Sequence, residues 1–341
     1  MVRSAPPDGT TAPTRRSPTA VGLVLRQTLD GAAARLARAG RTVELHPVVG
    51  NQRGAPVVAA YAAAVALLTL TALAAPLPAS LLLGTLFLCG VVDMEGRRSW
   101  FRGLVPRQGA RALLQWTGDD APGAPIAMVV VPVEATHIRP TSRAPLLLAA
   151  LGVVGTFGAL LRPFLADAAS PLLLSVSAVS GVVALVALWL DSRGRLAPDA
   201  ESGVRLAERI VAAVESEQPA RGRVVVATVG GGAGFHDGLD VLLRNQAHRL
   251  SRSRTRILTW QPARGPLAVI PREGHLLRTP ASESLLQAVA PLGLPSVSGQ
   301  GASGRARTGG WPALGLQGGL DHPADVVHGL ASAARHVADA P

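Results

Sequence analysis

Lysine is absent from the chain, and all 33 basic residues are arginine. Together with the high alanine content, this bias reads as the codon usage of a high-GC bacterium rather than selection for guanidinium chemistry. Aromatic residues make up only 3% of the sequence, with a single tyrosine, Tyr61. The arginines are scattered and no nucleic-acid motif occurs, so the net charge of +11 is not read as a nucleic-acid footprint. Cysteine occurs once, as Cys89, which excludes an intrachain disulfide and a cysteine metal cluster. The first residues lack the apolar core of a secretory signal. Residues 1–18 are rich in Pro, Thr, Ser and Arg and read as a disordered tail.

The most informative absence is local. No charged residue occurs over 54–92, 144–161 or 168–190, uncharged lengths of 39, 18 and 23 residues. A helix crosses the hydrocarbon core with about 20 apolar residues. The pattern predicts four transmembrane helices as two hairpins: Pro56–Ala75, a short Ala79–Val92, Ala144–Leu161 and Ser170–Leu190. Pro76 and Pro78 are expected to interrupt the first hairpin, which makes the second span the weakest of the four. Gly152, Gly155, Gly158, Ser175, Ser177, Ser180 and Gly181 are small enough for close helix packing. Eight arginines precede the first span, seven lie between the hairpins and 17 follow the last. Arginine gathers on the cytoplasmic side, so the soluble parts and both termini are expected in the cytoplasm of a bacterial cell. The lipid bilayer is then the first expected partner, with no nucleic acid and a protein partner left open. The spans hold almost no ionisable residue, which speaks against a transport pathway.

The remainder, 19–53, 93–143 and 191–341, reads as three parts of one α/β domain, separated by hairpins at 54–92 and 144–190. Strands are expected at Thr42–Val48, Ala110–Trp116, Ile126–Val133, Arg223–Thr228, Arg256–Trp260, Pro266–Ile270 and Trp311–Leu316. Helices are expected at Thr19–Ala39, Asp199–Glu217, Gly238–Arg249, Ser282–Ala290 and Pro323–Ala340. Alternation of this kind implies a mixed, mostly parallel sheet flanked by helices. Ser298–Gly310 reads as a mobile Gly/Ser/Arg-rich loop.

The order of motifs resembles the di-zinc aminopeptidase superfamily, which includes glutamate carboxypeptidases and transferrin-receptor-like domains, and within it a membrane-inserted bacterial branch. In that family a buried strand ends in His-x-Asp; here Val133 and Ala135 stand at those places. The segment Leu196–Val204 is similar to the family's metal-bridging motif and keeps Asp199. Gly231 and Gly232 occupy the positions of the paired glutamates that serve as general base and ligand, and Gln261 that of a later Asp ligand. Leu320–Asp325 is similar to the family's final His motif and retains His322.

Catalytic zinc requires three or so protein ligands and a carboxylate to take the water's proton. Asp199 and His322 alone satisfy neither requirement, so the resemblance implies a catalytically dead, peptidase-like binding or scaffold module with no cofactor. An alternative keeps zinc and weak hydrolase activity through relocated ligands drawn from Glu134, His137, Asp199, His236, Asp237 and His322. Asp199 reads equally as a helix N-cap, and His322 as a structural residue before a helix-opening proline. The Gly230–Gly234 turn follows a strand as phosphate loops do, but lacks their Lys and glycine spacing.

Overall fold

The computed structural model describes residues 18–50, 54–94, 108–117, 123–133, 144–192, 201–217, 222–230, 237–274, 278–299 and 301–340. Strands β1 (Val43–Gly50), β2 (Gln108–Thr117), β3 (Ile126–Pro132), β4 (Arg223–Val229), β5 (Thr255–Gln261), β6 (Ala268–Ile270) and β9 (Ala313–Gln317) form one sheet, in the order β1-β2-β4-β3-β5-β9-β6. The centre, β4-β3-β5-β9, is parallel throughout. Only β2 and β6 run against it, each paired antiparallel to its neighbours. A small ribbon of β7 (Arg272–Glu273) and β8 (Thr279–Pro280) stands apart.

Burial on both faces explains why β3 is apolar at every position rather than alternating. Ala127, Val129 and Val131 pack under α6 (Ser202–Ser216), α8 (Glu283–Val289) and α10 (Pro323–Asp339). Ile126, Met128 and Val130 pack under α7 (Asp237–Asn245) and α9 (Ser303–Thr308). Helix α6 buries Val204, Ala207, Ile210, Val211 and Val214, the stripe that its 3.6-residue periodicity predicts. Helix α1 (Pro18–Arg38) adds Leu29 and Ala32 beside Leu113.

Four apolar helices form a separate cluster: α2 (Gly54–Thr71), α3 (Pro76–Met94), α4 (Ala144–Leu161) and α5 (Ala166–Ser192). Helix α2 packs chiefly on α5, and α3 on α4, so the two hairpins interlock. Gly155 lets α4 approach α2 closely as well, since a Cβ there would lie 2.9 Å from Thr69 Cγ2. The small residues do not all serve packing: Ser175 is exposed, and a Cβ on Gly181 would meet open space.

The lengths correct the sequence reading. Among the described residues, two helices, not four, are long and apolar enough to cross a membrane: Pro76–Asp93 and Ala166–Trp189. The apolar parts of α2 and α4, Pro56–Thr71 and Leu147–Leu161, are shorter. The second segment, expected to be the weak one, is therefore a full-length helix, and the first is not. Pro76 and Pro78 open α3 rather than interrupt it, because first-turn residues have no intrahelical acceptor to lose. Pro171, by contrast, lies inside α5 beyond its first turn. The segment expected to be a mobile loop instead holds α9, which buries Ser303, Arg305 and Ala306.

Candidate functional site

Open α/β sheets bind ligands beyond the carboxyl ends of their parallel strands. Here those ends are Val133 after β3, Gly230 after β4, Gln261 at the end of β5, and Gln317 to Gly319 after β9.

At the end of β3 the described packing is apolar. Val133 is fully buried with Leu29, Ala32, Leu113 and Val204. Its carbonyl accepts the Gly203 amide at 3.1 Å, which docks the start of α6 onto the strand end. A Cβ on Gly203 would lie 2.7 Å from the Val133 carbonyl oxygen and would overlap that of Pro132, so only glycine permits this approach. Helix α6 starts at Ser202 with Glu201 as its N-cap residue. Beyond β4, a Cβ on Gly238 would overlap the Gly230 carbonyl oxygen, so α7 starts equally close to its strand.

The sequence-derived candidates do not gather among the described residues. His322 is exposed and is the N-cap residue of α10 with Pro323 at N1; its carbonyl accepts the amides of Asp325 and Val326. Asp237 is buried at the first turn of α7, 3.9 Å from Arg305, and Asp240 accepts from the same guanidinium at 2.8 Å. Two carboxylates in the first turn of α7 occupy the positive end of its dipole, which disfavours a phosphate at the glycine turn. Glu134, His137, Asp199, Gly231, Gly232 and His236 lie outside the described residues. Among the described residues, no group of three or more His, Cys, Asp or Glu is disposed to hold a metal ion.

Sequence reasoning missed a buried carboxylate. Glu273 on β7 is 5% exposed, and its Oε2 accepts from Ser303 Oγ, the Gly304 amide at 2.6 Å and Arg307 Nη2 at 2.9 Å. Its Oε1 is buried without a hydrogen-bond partner, as is Gln261 Oε1. Both oxygens lie within 4 Å of the point where a Gly301 Cβ would be. The arrangement ties α9 to the β7–β8 ribbon. The only signal in the sequence was the Ser/Gly/Arg composition of 301–307, which read as a loop.

Burial pushes the Glu273 carboxyl above the ordinary carboxylate range, and Ser303, Arg307, Gly304 and Gly301 pull it back only in part. The Gly301 amide pulls on the group without reaching hydrogen-bond geometry with Oε1. A raised folded-state pKa means that the folded protein holds this proton more tightly than the unfolded chain. The resulting stability is complete below the ordinary carboxyl pKa and is lost as pH rises through the folded value. Melting temperature followed against pH should show this falling limb, and Glu273→Gln should lack it.

The sequence matches no known family model and no curated protein. Among solved structures it is similar to BSAP, a zinc aminopeptidase from Bacillus subtilis, at 12% identity over 68% of this chain and 49% of that one, with a TM-score of 0.30. It is similar to an Acidobacteriales bacterium glutaminyl cyclase at 10% identity over 98% of each chain, with a TM-score of 0.36. The Legionella pneumophila aminopeptidase LapA gives 9% identity over 68% of this chain and 53% of that one, with a TM-score of 0.28. The chain thus spans about half the length of either aminopeptidase. Likenesses this distant assign no residue a role.

Proposed function

We propose that the chain is a membrane-anchored, peptidase-like α/β protein without catalytic activity, which acts by binding at the membrane surface. One observation carries the membrane part. Every exposed large hydrophobic side chain among the described residues, Val49 excepted, belongs to the α2–α5 hairpins. The two longest apolar segments are only 33% and 28% buried. The core helix of a water-soluble protein would be mostly buried, and a signal sequence would lie near the N-terminus; these begin at Pro76 and Ala166. A patch of this size is stable against lipid and costly against water. Arginine placement puts the α/β domain and both termini in the cytoplasm of a bacterial cell.

The inactive part rests on the resemblance together with the local packing. Val133 stands where the family has a zinc-binding His, and it is sealed among apolar side chains. Gln261 offers a neutral amide where the family has a carboxylate. That donor set does not fit a pair of zinc ions, so no metal-dependent step is derived.

The test combines alkaline carbonate extraction of membranes, metal analysis of the purified full chain and an aminopeptidase assay. The protein should stay in the pellet, carry less than stoichiometric zinc and show no turnover. Release into the supernatant would end the membrane reading. Stoichiometric zinc with turnover would end the inactive one.

A further inference from the structure

The two hairpins differ at their tips. In the first, the turn Ala72–Ala75 carries no polar side chain, and Ala74, Ala75 and Leu77 are exposed. Its amides are satisfied internally: Ala72 donates to Leu68, Leu73 to Leu70, Ala74 and Ala75 to Thr71, and Ala79 to Ala75. Pro76 and Pro78 have no amide to satisfy. Every hydroxyl of this hairpin is also bonded within the bundle. Thr69 donates to Val65, Thr71 to Leu68, Ser80 to Leu77 and Thr85 to Leu81, all onto backbone carbonyls, and Tyr61 donates to Asp93 at 2.8 Å. The second tip's amides are satisfied in the same way, Arg162 donating to Gly158, Phe164 and Leu165 to Leu161, and Ala169 to Leu165, so the tips differ in their side chains. The second tip carries Arg162 and exposed Asp167, with Phe164 83% exposed.

Reach agrees with chemistry. Ser177 Oγ donates to the Ala66 carbonyl at 3.1 Å, which marks a common level on α5 and α2. From that level α2 rises six residues to Ala72, about 9 Å, whereas α5 rises eleven to Ala166, about 16 Å. The two tips are thus offset by about 7 Å as measured along α2 and α5.

We infer that the first hairpin turns back inside the hydrocarbon of the far leaflet without emerging, while the second reaches the far headgroups. The inference rests on the membrane reading above, and fails separately from it. With Cys89 replaced by alanine, the full chain is made with either Ala74→Cys or Phe164→Cys; both positions are exposed on the protein. Carbonate extraction first establishes that each variant is in the membrane, and a soluble product would overturn the underlying reading. A membrane-impermeant maleimide is then applied to sealed spheroplasts and to inverted vesicles. The cysteine at 164 should label from one side only. The cysteine at 74 should label from neither side until detergent is added. Equal labelling of the two sites in intact membranes, whether both react or neither does, would overturn the inference.

Discussion

Replacing Glu273 by alanine should destabilise the α/β domain by about 3–5 kcal/mol at neutral pH, the usual cost of removing one partner from a buried ion pair. The carboxylate collects three donors on one oxygen, and the Arg307 side chain that faces it is only 10% exposed. Alanine would leave that guanidinium buried beside a cavity and would release the anchor of α9. Denaturation of the detergent-solubilised full chain, followed by tryptophan fluorescence, measures the loss. Trp311 is buried in the same cluster as Ala306 of α9 and reports on this region. Replacing Glu273 and Arg307 together by leucine should recover much of the stability, because the buried pair is then removed as a unit. A loss for Glu273→Ala below about 1 kcal/mol, the range of exposed pairs, would show that the network is not the anchor described here.

The second large effect is expected at Gly203. A Cβ there collides with the carbonyl oxygens of Pro132 and Val133, which belong to a central strand and cannot move aside as a flexible side chain would. Gly203→Ala should cost about 1–3 kcal/mol, the usual range for overpacking, and Gly203→Val more. Gly31 supplies the control. It lies in α1, and a Cβ there meets nothing within 4 Å. Gly31→Ala should stabilise by a few tenths to about 1 kcal/mol, as alanine does in an open helix position. Similar losses at both glycines would show that helix propensity, rather than the close approach of α6 to β3, governs the result.

The strands that proved easiest to read are the ones buried on both faces. Ile126–Pro132 and Arg223–Val229 are largely apolar runs rich in valine, and a run of that composition and length between turns has few alternatives. The α6 stripe was equally legible, because an amphipathic period is a local property of the chain. Helix ends were less so. The same two prolines break a helix in its interior and open one at its first turn, and the sequence alone does not say which position they hold. The result was an exchange of lengths between α2 and α3.

The candidate site was less legible still, for a physical reason. Glu273 meets Ser303 and Arg307 from 30 and 34 residues away, across a turn that composition presents as a polar loop. Nothing local marks a carboxylate that will be buried by a partner so far along the chain. His322 matches a ligand motif and is also the residue at which α10 begins, and the sequence alone carried both readings.

What the sequence determined by itself was therefore the two uncharged hairpins, the alternation of strand and helix, and the apolar faces, because each is set by hydrophobicity within a few turns of chain. Only the tertiary structure decided the order of strands, the docking of α6 on β3 through Gly203, the interlocking of the hairpins and the burial of Glu273. Each of these depends on contacts between distant segments, where close packing and the cost of an unpaired buried charge select one arrangement among many that the local pattern allows.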